Sequence, residues 1–153
     1  MKMKKFAMLA FCTILGIMVL TGCTTNISYT YKVGTGDNVK VTLDTTDGLM
    51  LGNEDGVLVI TRDDETILQG SFFDQDTCDA YADLIRNDDS VKIIEEDSAN
   101  GITWLMCTLD GAAGKEIDII VWIDGSDIGL LLASLEDEDI TEEAFDSLTF
   151  TIE

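Results

Sequence analysis

The chain has 153 residues, of which 9 are basic, 30 are acidic and none is histidine, so its formal charge at pH 7 is −21. A chain this acidic repels phosphate backbones, which argues against nucleic acid as a partner. Without histidine the chain lacks the commonest general base, so Ser-His-Asp and Cys-His catalysis cannot occur within it.

The first predicted element is a secretory signal peptide. Lys2, Lys4 and Lys5 form a basic cluster, and an uncharged, mostly apolar run follows at 6–20. A charged start before an apolar run is typical of such a peptide. A membrane-spanning helix needs about 20 apolar residues, so this run is short for a permanent anchor. We therefore expect residues 1–22 to be removed as a signal peptide.

The run ends at Leu20-Thr21-Gly22-Cys23, which resembles a bacterial lipobox. The resemblance implies that the Cys23 thiol receives a diacylglyceryl group and that the chain is cut before it. Small residues before the cut fit a narrow protease site, and a thiol is the nucleophile that thioether formation needs. The alternative is an ordinary cysteine after an ordinary signal peptide.

The remainder is predicted to be a short tether and one domain. Three of the nine basic residues lie in the signal peptide, so residues 23–153 carry six basic and 30 acidic residues, a formal charge of −24. A chain of that length suits one domain with its own core. We assign 23–27 to the tether and 28–153 to a single acidic domain. The linker spans at most about 15 Å, which holds the domain close to the membrane.

Alternating or continuous apolar residues predict strands at 28–33, 39–43, 48–51, 57–61, 91–95, 102–109, 116–123 and 128–133. Residues 66–73 are expected to be extended or partly extended, and 148–152 to close the domain as a strand or an extended tail. The strand at 102–109 is apolar on both faces, so we expect it to be central and covered on both sides. Trp104 shares a face with its apolar neighbours and is predicted to be core. Trp122 is out of phase with its neighbours, which places it on the opposite face, under a helix or exposed.

Two helices are predicted among these strands. Cys78, Tyr81, Ala82 and Ile85 recur at helical spacing, and Asp74 or Asp76 can cap the helix at 75–87. A second, short helix is expected from the capping box at 139–142 to about residue 147.

This order of elements predicts an α+β fold, in which two helices pack on an antiparallel, mostly meander sheet. The strand Val57–Arg62, the helix at 75–87, the strands at 102–109 and 116–123 and the ending Glu143–Phe150 are together similar to the PsbP-like fold. That fold recurs in small bacterial lipoproteins. The resemblance implies a binding or assembly factor without catalysis.

Cys78 and Cys107 are the two cysteines that remain for the folded domain. Outside the cytoplasm they could form a disulfide, which would close a loop of about 30 residues and add roughly 3–4 kcal/mol to the free energy of unfolding. The alternative is a pair of buried free thiols, because cysteine packs as a small apolar residue.

Several acidic clusters could supply oxygen ligands to calcium. They are Asp74 with Asp76, Asp124 with Asp127, and the runs 63–65 and 136–139. None has the glycine and distal glutamate of an EF-hand loop, so solvated turns are the favoured interpretation. Paired carboxylates also occur by chance among 30 acidic residues. We predict no metal site, no cofactor and no catalytic residue.

The predicted protein is thus a bacterial lipoprotein on the extracytoplasmic face of the cell membrane. Its expected function is that of a non-catalytic binding or accessory module of the envelope, with the membrane and an unidentified protein as partners. The alternative is a protein that binds a divalent cation or a small ligand.

The variant Cys23→Ser tests the lipid anchor. Wild-type protein should stay in the membrane fraction after a high-salt wash, because acyl chains anchor by apolar burial at about 0.8 kcal/mol per CH₂. The variant should lose that retention, as measured by immunoblots of washed membranes. A variant that is cut normally and remains membrane-bound would contradict the assignment of Cys23.

Overall fold

A computed structural model describes residues 25–153, which form ten strands and two helices. Strands hold 58% and helices 16% of these residues, so the fold is mixed but mainly β. The helices are α1 (Gln75–Arg86) and α2 (Glu138–Asp146). The strands are β1 (Asn26–Lys32), β2 (Asn38–Asp44), β3 (Met50–Glu54), β4 (Val57–Arg62), β5 (Glu65–Asp74), β6 (Lys92–Ala99), β7 (Ile102–Gly111), β8 (Gly114–Ile123), β9 (Ile128–Ser134) and β10 (Leu148–Ile152). Among the described residues, no helix is long and apolar enough to cross a membrane.

The strands form two antiparallel sheets, whereas the order of elements predicts one meander sheet. The smaller sheet has the order β1-β2-β10, and the larger has the order β3-β4-β5-β9-β8-β7-β6. The chain leaves β5, crosses the sheet as α1 and returns through the meander β6 to β9, so β9 pairs with β5. The last strand, β10, pairs with β2 rather than with the larger sheet. The predicted antiparallel pairing and both helices are confirmed.

The middle of the larger sheet is covered on both faces, as the pattern of β7 predicts. On one face, Ile102 and Met106 join a core with the smaller sheet and with Phe145 of α2. On the other face, Leu105 and Cys107 pack in a second cluster with α1. The order of layers is therefore α1, the larger sheet, and then the smaller sheet together with α2.

Both tryptophans lie where their phase predicts. Trp104 packs against the core between the sheets, and its ring meets Phe145 edge-on with centroids 5.7 Å apart. Trp122 packs against the cluster under α1, on the opposite face. The apolar alternation of β7 and β8 therefore decides which tryptophan meets the helix.

The helix starts follow capping chemistry, with one correction. The Asp74 carboxylate accepts a hydrogen bond from the Thr77 amide at 2.8 Å and caps α1 as predicted. For α2 the cap is Asp137, which accepts from the Ile140 amide at 3.1 Å, so the helix begins at Glu138 instead of inside the predicted box. Either position offers an acidic residue near the positive end of the helix dipole. Strand β1 also begins two residues before its predicted start, which shortens the tether.

The close packing of Cys78 in α1 against the backbone of Gly129 in β9 determines how near the helix lies to the sheet. A Cβ atom on Gly129 of β9 would collide with the Sγ atom of Cys78 and lie 3.1 Å from the carbonyl oxygen of Val121. Cys78 is fully buried, so its side chain has no room to move aside. Glycine at 129 is therefore required by the position of the helix.

The variant Gly129→Ala should lower the free energy of unfolding by about 1–3 kcal/mol, which is typical of overpacking. Adding Cys78→Ala should recover part of this loss, because it removes the colliding sulfur atom. Gly70→Ala is the matched control: a Cβ there meets backbone atoms of Leu131, so Cys78→Ala should not rescue it. Urea unfolding measures all four variants, and equal rescue of both glycine variants would refute this packing.

Candidate functional site

An open cleft of about 420 Å³ lies beside α1 at one end of the helix-covered sheet face, and we call it the Trp122 cleft. Its walls come from α1, β6, β7, β8 and the turn after β8. It is lined by Gln75, Asp79, Arg86, Glu96, Thr103, Trp122, Asp124, Gly125 and Ser126. The cleft therefore combines one aromatic ring, one guanidinium group and several carboxylates.

Hydrogen bonds hold the polar groups of the Trp122 cleft in place. The Nε1 atom of Trp122 donates to the Asp79 carboxylate at 2.8 Å, which ties β8 to α1. Arg86 and Glu96 form an ion pair between the end of α1 and β6. The Gln75 side-chain amide donates to the carbonyl oxygens of Ile123 and Ile128, at 3.1 and 3.3 Å. The start of α1 is thus fastened to the turn that forms the far wall.

The Trp122 cleft is suited to holding a polar ligand. Its one cation, Arg86, faces an excess of carboxylates, and its tryptophan can offer an aromatic surface. Its serine, Ser126, is engaged with backbone groups: the hydroxyl donates to the Ile123 carbonyl oxygen at 2.9 Å and accepts from the Ile128 amide at 3.1 Å. None of these bonds joins the hydroxyl to a general base, so the geometry supports binding and offers no activated nucleophile.

A buried carboxylate marks the other side of α1. Asp118 of β8 is 6% exposed, and its Oδ2 atom accepts a hydrogen bond from the Tyr81 hydroxyl of α1 at 2.5 Å. Its Oδ1 atom is buried and accepts from no amide or hydroxyl donor. Buried polar groups are nearly always hydrogen-bonded, and the second partner of the Asp118 side chain is the carboxyl group of Glu116.

Glu116 lies next to Asp118 on the same face of β8, and the two form the Glu116–Asp118 pair. The hydrogen bond with the Asp118 side chain, followed by burial and the charge of Asp118, raises the pKa of Glu116 above its ordinary value of 4.5. Burial, followed by the hydrogen bond to Asp118, raises the pKa of Tyr81 well above its ordinary value. Burial, with the charge of Asp118, raises the pKa of Cys107 to about 11. All three shifts favour the neutral, protonated form of the group beside Asp118.

Glu116 lines a pocket of about 390 Å³, which we call the Glu116 pocket. It lies between β5, the β7–β8 turn, β8 and the end of β9. Its lining residues are Thr66, Ile67, Gln69, Ala113, Glu116, Ala133, Ser134 and Leu135. Apart from Glu116 these residues carry no charge, and several are small or apolar.

Cys78 and Cys107 are free, buried thiols in the structure, so the disulfide alternative does not describe it. Cys78 sits over Gly129, whose cross-strand partner is Trp122, which in turn pairs with Thr103. Cys107 lies on β7, two strands from Gly129 and four residues beyond Thr103. This places it on the order of 16 Å from Gly129, the residue under Cys78. A disulfide joins Cα atoms no more than about 7 Å apart.

The predicted lipidation residue, Cys23, lies outside the described residues. Some residues of the acidic clusters have structural roles: Asp74 and Asp137 cap helices, and Asp63 and Asp64 form a turn with φ of 52° and 66°. Within residues 25–153, no three His, Cys, Asp or Glu side chains are grouped to hold a metal ion.

The Glu116–Asp118 pair was not identified from the sequence. The pattern of β8 does contain a signal, because Asp118 shares its face with Ile120 and Trp122 and pairs with Cys107 on a strand that is apolar on both faces. A carboxylate at such a position is buried unless the strand ends there. Helical spacing identifies its partner Tyr81 only as part of the apolar stripe of α1.

A groove of about 500 Å³ lies where the described chain begins. Asn26 of β1 lines it together with four carboxylates, those of Asp44, Asp47, Glu143 and Asp146. Burial, with the charge of Glu95, raises the pKa of Asp146. Arg62 donates to Glu143 at 2.7 Å and offsets one of these charges. The chain therefore enters the domain at an acidic end.

Comparison with known proteins gives no family: a scan of protein-family models finds none that matches the chain, and a search of curated proteins finds no significant match. The function is therefore argued from the sites themselves.

The variant Glu116→Gln should make the free energy of unfolding less sensitive to pH than in wild type. A raised pKa in the folded protein means that Glu116 stabilises the fold fully below its unfolded pKa, and that this stabilisation is lost as the pH rises through the folded pKa. Glutamine cannot ionise, so it escapes this loss. Urea unfolding from pH 4 to pH 8 measures the difference, with Glu54→Gln on exposed β3 as the charge-matched control. Identical profiles for the two variants would contradict repulsion within the Glu116–Asp118 pair.

Proposed function

We propose that the protein is a bacterial lipoprotein on the extracytoplasmic face of the cell membrane, and that its folded part is a non-catalytic binding module of the envelope. The observation that carries the proposal is the lipobox at residues 20–23, followed at once by a strand that begins at Asn26. The three residues from Cys23 to Asn26 reach about 10 Å. A lipid on Cys23 would therefore hold the domain against the bilayer.

The acidic groove where the chain enters the domain determines whether charge attracts that end of the domain to the membrane. Carboxylates near Asn26 would be repelled by anionic headgroups, so charge does not attract this end of the domain to the membrane. Lys32 and Lys40 lie away from this entry, since Asn26 pairs with Asp44 while Lys32 pairs with Asn38 at the opposite end of the hairpin. In this proposal the attachment depends on acyl chains and resists salt.

A PsbP-like fold remains part of the proposal. It is supported by the order of a β-hairpin, further strands, α1, a four-strand meander, α2 and a final strand. Many proteins of that kind resemble binding or assembly factors without catalysis, which agrees with a Trp122 cleft that offers polar contacts without an activated nucleophile.

The Trp122 cleft is the proposed contact surface for a protein partner. Trp and Arg are enriched where protein interfaces concentrate their binding energy, and this cleft holds both. The surrounding carboxylates of Asp79 and Asp124 would favour a basic segment of the partner.

A second candidate function is the binding of a small ligand or cation. The specific observation in its favour is the Glu116–Asp118 pair, because Glu116 lines a pocket whose other side chains are uncharged.

Site-directed photo-crosslinking in living cells tests the Trp122 cleft as a partner surface. A photoreactive amino acid at position 124 in the full-length protein should give a discrete crosslinked product, since Asp124 lines the cleft and is exposed. The same amino acid at position 54, on the exposed end of β3, is the matched control and should not give it.

Adding Asp79→Lys to the position-124 variant should abolish the product, because a lysine in the cleft would repel a basic segment of the partner. The same product from positions 124 and 54, or a product that survives Asp79→Lys, would contradict a partner surface at the cleft. Fractionation of the same cells reports the lipid anchor separately.

A further inference from the structure

One edge of the larger sheet is open to another strand. The sheet ends in β3 on one side and in β6 on the other, and among residues 25–153 the strand neighbour of β6 is β7 alone. We propose that β6 receives an extended, basic segment of a partner protein as an added β-strand. The inference rests on the proposed function, because Glu96 of β6 lines the Trp122 cleft, and it states how the partner is held.

The other edge strands are less suited to such a segment. The Tyr31 hydroxyl of β1 donates to the Gly52 carbonyl oxygen of β3 at 2.8 Å, so a contact between the sheets already occupies an acceptor of β3. The edges of the smaller sheet, β1 and β10, carry no carboxylate that would attract a basic chain. β6 has eight residues, three of them acidic, and all except Ile94 are exposed. It is therefore the edge that best fits a basic strand.

The backbone of β6 directs donors and acceptors away from β7. The Ser98 amide donates to the Asp97 carboxylate at 2.8 Å, which places this N–H on the free side of the strand. Backbone groups alternate in direction along an antiparallel strand, so those of Glu96 also point outward. A strand edge with such outward groups pairs readily with another chain. A carbonyl group of the partner can replace Asp97 as the acceptor, which leaves that carboxylate for a basic side chain.

A β-bulge limits the part of β6 that can pair regularly. Ile93 pairs with Cys107 and Glu95 pairs with Met106, so Ile94 is an extra residue in the register. A bulge interrupts the ladder and increases the local twist. The register with β7 is continuous from residue 95 to residue 99. An added strand is therefore expected to pair with 95–99.

Three consecutive carboxylates in this segment select the charge of the added strand. They belong to Glu95, Glu96 and Asp97. Glu96 pairs with Leu105, which packs under α1, whereas Asp97 pairs with Trp104 on the opposite face. A basic side chain on either face of the added strand thus meets an opposite charge, which stabilises cross-strand pairs. A second copy of β6 would instead bring like charges together, so the same residues disfavour self-association.

The acidic character of this edge continues into α2. Burial raises the pKa of Glu142, and the charges of Glu138 and Glu95 raise it further. Glu95 therefore lies close enough to α2 to repel its carboxylates. Arg86 forms its ion pair with Glu96, on the face of β6 that is turned towards α1. A cation supplied by the partner would relieve the repulsion on the α2 side.

Hydrogen–deuterium exchange of the purified full chain in detergent tests strand addition directly. The probe is a heptapeptide of alternating lysine and valine residues with blocked ends. The amides of Glu96 and Ser98 should exchange rapidly in the free protein and more slowly with the probe, because they then donate to its carbonyl groups. A heptapeptide of alternating lysine and proline has the same charge but lacks half of the amide donors, and it should not protect them. A glutamate–valine peptide should not bind.

The variant Ser98→Pro decides between strand addition and charge attraction, since it leaves the charge unchanged. Proline is tolerated at an outward position of an edge strand, but it removes the outward N–H, so the affinity for the lysine–valine peptide should fall roughly tenfold in calorimetry. Ser98→Ala keeps the N–H and should bind as wild type does. Asp97→Asn should weaken binding about two- to fivefold, as loss of one exposed ion pair does. Thermal melting confirms that each variant is folded.

Two results would overturn the proposal: equal protection of 95–99 by the lysine–valine and lysine–proline peptides, and equal affinity of Ser98→Pro and Ser98→Ala. Either would show that β6 is only an acidic surface. Photo-crosslinking from position 124 separates this failure from that of the proposed function. A product that persists undiminished with Ser98→Pro would keep the partner at the Trp122 cleft and reject strand addition. Absence of the product in the wild-type background would reject that partner surface, while the peptide measurements still decide whether β6 accepts a strand.

Discussion

The structure depends on one constraint: the middle of the larger sheet is apolar on both faces and must exclude water from each. β7 shows it directly, with Ile102 and Met106 on one face and Leu105 and Cys107 on the other. The smaller sheet and α2 cover the first face. α1 covers the second, but a helix of 12 residues is about 18 Å long, whereas seven strands span about 29 Å. The Trp122 cleft and the Glu116 pocket lie beside the part of this face that α1 covers.

Most elements could be predicted from the sequence, because alternation in β7 and the stripe Cys78, Tyr81, Ala82 and Ile85 are local signals. The division into two sheets could not. It requires β5 to pair with β9, a contact between residues far apart in the chain, such as Gln69 and Ala133, that exists only because α1 crosses the sheet. The separation of Cys78 from Cys107 follows from the same topology. Local patterns state which face a residue occupies but not which strand lies beside it.

The sites were harder to predict than the fold for a related reason. A chain with 30 acidic residues gives no local reason to select Asp118, and only its buried position on β8 distinguishes it. Trp122 was correctly assigned to the face opposite Trp104, yet the groups around it come from α1, β6 and a turn. The proposed lipid anchor is the opposite case, because four consecutive residues predict it without any knowledge of the fold.

Site-resolved alkylation of Cys78 and Cys107 tests the cover of the sheet by α1 most directly. Both thiols are fully buried between helix and sheet, and burial raises the pKa of each to about 11. Peptide mass mapping after iodoacetamide treatment across a urea series should find both thiols unmodified in the native protein, and both reacting together at the global unfolding transition. Rapid modification of either thiol in the native state, or a mass that shows a Cys78–Cys107 disulfide, would contradict the account.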